Sequence, residues 1–185
     1  MSREGAVEAY RQFMIELGLD TTNQHLADTP RRVVAMFDEL LNGAEPIFTV
    51  FENRDRIDQL VVVRDIPFYS MCAHHMLPFW GTVHVCYIPQ EHIVGLSKIA
   101  RSVELFARGL QVQEELTMQI ALKLEHELRP LGVGVVIAAR HMCMEMRGVK
   151  KPGASTVTST MRGTLLHSPA AREEFLRFID VSSPL

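Results

Sequence analysis

The segment Cys72-Ala73-His74-His75 sets a thiol and an imidazole three positions apart, close enough for one tight turn to grip a metal ion with both. Two donors are half of a tetrahedral site, so the remaining cysteines, Cys86 and Cys143, have to be weighed. Cys143 lies in His141-Met142-Cys143-Met144-Glu145-Met146-Arg147. Read as a strand, this stretch turns His141, Cys143, Glu145 and Arg147 to one face, because side chains alternate with period two. Cys86 stands among Val85, Tyr87 and Ile88 and reads as a small buried hydrophobe. Cys72, His75 and Cys143 as ligands would leave a fourth position open, which is the pattern of a catalytic zinc. Such an ion lowers the pKa of its water to about 7. From these residues alone two other readings stay open: a loop without metal, and a structural zinc with His74 or Cys86 as fourth ligand.

The elements that must position these groups follow from periodicity. Ala6, Val7, Tyr10, Phe13, Met14 and Leu17 recur at helical spacing. A second helix is expected from Thr29-Pro30, a cap residue followed by proline, to Asn42-Gly43. Residues 43–58 have no clear period and read as a long loop. Strands are expected over 60–71, with Pro67 marking an edge or bulge, and over 79–88. Helices follow over 97–108 and 113–128, then strands over 133–147 and 155–162. Ser168-Pro169 caps a short last helix carrying Phe175, Leu176 and Ile179. The order is strand, strand, helix, helix, strand, strand, an α+β chain. We expect an N-terminal helical segment, 1–45, and a main domain, 46–185.

Composition narrows the function classes. The chain has 185 residues, 47% hydrophobic and 22% charged, as ordinary globular proteins do. A net charge of -3 gives no reason to expect nucleic acid, while local Arg and Lys clusters leave room for an anionic small molecule. No apolar run is long enough to span a bilayer. Met1-Ser2-Arg3-Glu4 lacks the apolar core of a secretory signal, so a cytoplasmic location is expected. Three cysteines argue against a disulfide framework.

From about Thr29 to Ile179 the sequence resembles the GTP cyclohydrolase I family. The resemblance rests on five separated blocks in the right order. These are Cys72-Ala73-His74-His75, Gly95-Leu96-Ser97-Lys98-Ile99-Ala100-Arg101, Gln111-Val112-Gln113-Glu114, His141 to Val149, and Thr156-Val157-Thr158-Ser159-Thr160. It implies the tunnelling fold, an antiparallel sheet with helices on one face, whose subunits pair sheet edges in a ring. In this family two five-membered rings stack into a homodecamer with active sites between subunits.

The resemblance also implies roles. Cys72, His75 and Cys143 would hold zinc, and His74 and His141 would transfer protons. Glu114 would accept the N1 and 2-amino hydrogens of guanine, an edge adenine lacks. Gln113 would line the base pocket. Ser97, Lys98, Arg101 and Arg147 would cradle the triphosphate, with Arg32 reaching it from a neighbouring subunit. The reaction implied is GTP and water to formate and 7,8-dihydroneopterin triphosphate, the first step of pterin and folate biosynthesis. Two positions depart from the family: Ala73, where glutamate is usual, and Ala35, one turn after Arg32, where lysine is frequent. They motivate the alternative of a GTP or pterin binder without turnover, or an enzyme with an altered product. A zinc nucleobase deaminase is disfavoured, since the chain lacks a paired Cys-x-x-Cys.

Overall fold

A computed structural model describes residues 2–179, so Met1 and residues 180–185 of the expected main domain lie outside the described residues. The chain divides after Asn42 into two compact units. In the first, α1 (Arg3–Glu16) starts where the Ser2 hydroxyl accepts the Gly5 N–H at 3.1 Å, satisfying an amide that a helix start leaves unpaired. It stops where Gly18 takes φ 77° and the Gly18 and Leu19 amides return to the Ile15 and Met14 carbonyls. α2 (Thr29–Leu41) has Pro30 in its first turn, where a missing N–H costs little. The two helices pack together, with Met14 buried and Arg3 paired to Asp38. Phe13 and Leu17, which recur with Met14 at helical spacing, are exposed.

The second unit opens with β1 (Val50–Glu52), which pairs antiparallel with β4 (His92–Val94). The loop expected over 43–58 therefore contains a strand. The main sheet joins β2 (Val61–Cys72), β3 (Pro78–Ile88), β6 (Gly132–His141) and β7 (Ser155–Gly163) as antiparallel neighbours in that order. β5 (Leu110–Gln111) adds outside β2, parallel to it at Met71 and Cys72. The sheet is thus mixed, not wholly antiparallel. Pro67 lies opposite Thr82 of β3, in the part of β2 that β5 does not reach, as expected of a proline on an edge strand. The bulge falls just before it, between Val63 and Ile66. Gly81 is demanded by close approach: a Cβ there would stand 1.9 Å from the Ala138 carbonyl oxygen of β6.

Between the strand pairs run α3 (Leu96–Ala107) and α4 (Gln113–Leu128). Alternation along β3 and β6 presents Phe79, Val83, Val85, Val133, Val135 and Ile137 to them. Leu116, Ile120, Leu124 and Leu128 recur at helical spacing and are fully buried, each contributing about 2 kcal/mol of apolar burial. After α5 (Met142–Glu145) and β7 come α6 (Thr164–His167) and α7 (Pro169–Phe178), the latter capped by the Ser168 hydroxyl. Leu165 of α6 and Phe175 of α7 form a second core with Ile179, Cys86, Ile88 and Val136. These sheet residues alternate with the first set, so helices cover part of the opposite face as well, a correction to helices on one face. No helix among the described residues is long and apolar enough to cross a membrane.

Candidate functional site

Cys72 is the last residue of β2, and the chain reverses directly after it. The Met76 amide donates to the Cys72 carbonyl at 2.8 Å, and the Cys72 amide donates to Leu77 at 2.9 Å. Ala73 donates to the Gln111 carbonyl at 2.9 Å, which ties the reversal to β5. The closed turn carries both histidines back toward the thiol. Nδ1 of His74 and Nδ1 of His75 each lie 3.8 Å from Cys72 Sγ.

Cys143 arrives by a route that strand alternation did not foresee. β6 ends at His141, and Cys143 sits on the single helical turn α5 rather than on a continuing strand. Glu145, on the same turn, is buried and accepts two hydrogen bonds from the Arg140 guanidinium, at 2.8 and 2.6 Å. That bidentate pair holds the Glu145 carboxyl below the usual carboxylate range and fastens α5 to the end of β6. Glu145 therefore faces Arg140 and does not share a side with His141.

The donor atoms of Cys72, His75 and Cys143 come within 4.8 Å of one another. Two sulfurs and one imidazole nitrogen are the borderline-soft donors that zinc prefers, and three of them leave a position free. Burial, then the neighbouring Cys72 sulfur, pushes the Cys143 thiol up, against the pull of Arg147. A cation between the sulfurs reverses that balance and favours thiolates. Cys86 is excluded as a ligand. It belongs to the second core on the opposite sheet face, where burial pushes its thiol up to about 12.

His141 ends β6 beside this group. Its ring stacks on Phe79, centroids 4.6 Å apart and planes 3° from parallel. Burial moves its pKa below the usual histidine value, opposed by the carboxylate of Glu114. Glu114 is exposed in the first turn of α4. Gln113, expected to line the base pocket, is the residue before it. Its side chain is 3% exposed, and its amide is turned inward onto His141 and the strand backbone. On α3, Ser97 and Arg101 are exposed and Lys98 is half-buried, away from the side that packs Ile99 and Val103. No hydrogen bond or ion pair among the described residues ties these three to the Cys-His-Cys group. Arg147 is exposed just beyond α5, and Arg32 is exposed on α2, where it pairs with Asp28 at 3.1 Å. Sequence reasoning gave no role to Arg140, Phe79, Thr117 or Thr158: Phe79 meets His141 and Thr117 meets Thr158 across distant parts of the chain, and the Arg140–Glu145 pair depends on the helical turn that replaces the expected strand. The only local signal was a threonine-rich strand with polar residues on its inward side.

The family model for GTP cyclohydrolase I matches residues 6–180. A GTP cyclohydrolase 1 of Hydrogenobaculum sp. (strain Y04AAS1) is 45% identical over 179 residues, covering 97% of this chain and 98% of that protein. One of Sulfurihydrogenibium sp. (strain YO3AOP1) is 49% identical over 173 residues, covering 94% and 92%. One of Aquifex aeolicus (strain VF5) is 47% identical over 179 residues, covering 97% of each.

Proposed function

The chain belongs to the GTP cyclohydrolase I family, and from that premise we propose that it converts GTP and water into formate and 7,8-dihydroneopterin triphosphate. The observation that carries the reading is the convergence of Cys72, His75 and Cys143 within 4.8 Å, with His74 and His141 alongside. We assign zinc to that group; when bound, it supplies water activated as a nucleophile at neutral pH.

The protein's own residues then divide the work. Glu114 accepts hydrogens from N1 and the 2-amino group of guanine and so sets C8 toward the Cys-His-Cys group. Ser97, Lys98, Arg101 and Arg147 hold the triphosphate, Arg147 as a planar fork and Lys98 as a compact charge. Opening of the imidazole ring after water adds at C8 needs a proton delivered to a ring nitrogen and one removed from the added hydroxyl. His74 and His141 are the groups for both transfers, since imidazole exchanges protons near neutrality. A second water cleaves the resulting formamide so that C8 leaves as formate, the ribose rearranges, and its carbonyl carbon condenses with the freed amine to close the new ring with loss of one water, so that one water is consumed overall.

The same premise proposes the tunnelling fold and a ring of subunits. Both edges of the main sheet support it. β7 has a neighbour on one side only, and β2 is covered by β5 at two residues alone. Open edges of that length invite pairing with another copy. Arg32 would then complete the phosphate site of a neighbouring subunit.

Zinc-loaded protein mixed with GTP, with formate and pterin fluorescence followed together, tests the proposal. Equal yields of both products are expected. Formate without pterin would mean an altered product, and neither product would leave a GTP binder.

A further inference from the structure

The side chain of Gln113 is buried, yet every polar atom of its amide has a partner. Nε2 shares its two hydrogens among the Thr156 carbonyl at 3.0 Å, the Ile137 carbonyl at 3.2 Å and Thr158 Oγ1 at 3.1 Å. Two of these are backbone carbonyls, which can only accept. A flipped amide would set its oxygen against both, so the orientation is fixed by chemistry.

The threonines close the circuit. Thr117 donates its hydroxyl to the Gln113 carbonyl at 2.7 Å, one helical turn back. Its oxygen is therefore the acceptor in the 2.7 Å contact with Thr158, whose hydrogen is thereby used. Thr158 Oγ1 is left to accept from Gln113 Nε2. The ring of bonds runs in one direction, and each member strengthens the next.

What remains is Gln113 Oε1, 2.7 Å from His141 Nε2. A carboxamide oxygen only accepts, so the hydrogen of this bond belongs to His141 Nε2. The neutral ring then carries its lone pair on Nδ1. Phe79, stacked on the ring, limits its tilt. We infer that Gln113 is a positioning residue that holds His141 as the Nε2–H tautomer, so that Nδ1 is the atom which takes and returns the proton in the reaction. This rests on the proposed proton-transfer role of His141, and it moves Gln113 from the base pocket to the service of that histidine.

The test separates the two uses of Gln113. Gln113→Met keeps the length and removes the hydrogen bond. The inference predicts a fall in kcat for formate release on the order of 10–100-fold, with zinc content and GTP affinity unchanged. In a His141→Ala background, where slowed turnover lets GTP dissociation constants be read, adding Gln113→Met should change neither affinity nor residual rate. A tenfold weaker GTP affinity with kcat retained would overturn the inference and return Gln113 to the base. Rate losses that multiply in the double variant would also overturn it. Should Gln113→Met fail to fold, Thr158→Val loosens the same amide from one side. A several-fold loss of kcat at constant affinity is then expected, and a loss of affinity at constant kcat would be contrary. A His141→Ala protein with undiminished turnover would instead remove the premise, whatever Gln113 does.

Discussion

Cys143 and Cys86 carry the same thiol, but Cys86 is enclosed by Val136, Leu165 and Phe175, whereas Cys143 meets Cys72 and His75. Cys143→Ala should therefore abolish zinc binding and turnover, while Cys86→Ala should keep one zinc per subunit and lose roughly 1 kcal/mol of stability. Metal analysis and thermal melts of both variants check this; zinc retained without Cys143 would be contrary. Ala73 is exposed between Cys72 and His74, with its backbone spent on Gln111. A carboxylate there would act on the histidines or the metal rather than on guanine or phosphate. Ala73→Glu should raise the formate rate about tenfold with GTP affinity unchanged. An effect confined to affinity would mean that residue 73 faces the substrate. Cys72 and His75 were legible in the sequence because covalent spacing nearly fixes their separation. The task of Gln113 was not, since the partners of its amide lie 24 to 45 positions away.

At the scale of elements, α5 shows what periodicity misses. Alternation through residues 141–147 predicted a strand face, but the strand ends at His141 and one helical turn brings Cys143 to the same group. The Arg140–Glu145 pair is what makes so short a turn dependable: a buried carboxylate held by two charge-assisted bonds resists fraying. Glu145→Gln weakens that clamp without emptying the space. Zinc affinity, measured by competition with a chromogenic chelator, should fall about 10–100-fold while the melting curve moves little. Unchanged affinity would mean that α5 holds Cys143 without Arg140. The long helices and central strands were readable because their apolar periods are unambiguous. The order strand, strand, helix, helix, strand, strand followed from them. β1, β4 and β5 span two or three residues, too few for any period to show, and the second core depends on which sheet face α6 and α7 choose.

For the whole molecule, the proposed ring of subunits would give the open edges of the main sheet a partner. If Arg32 serves a neighbour's site, a ring made from Arg32→Ala and His74→Ala subunits contains some sites with neither lesion. Refolded mixtures should then regain a fraction of wild-type activity above the sum of the parents. Activity no greater than that sum, in rings shown to be mixed, would place the whole site within one chain. The central claim is that this chain opens guanine at C8 through the Cys72, His75 and Cys143 centre. Its most direct test is GTP carrying 13C at C8, offered to protein stripped of metal and then to the same protein reloaded with zinc. The account predicts no conversion in the first case. In the second it predicts one labelled formate for each 7,8-dihydroneopterin triphosphate formed. Label retained in a nucleotide product, or conversion indifferent to zinc, would contradict it.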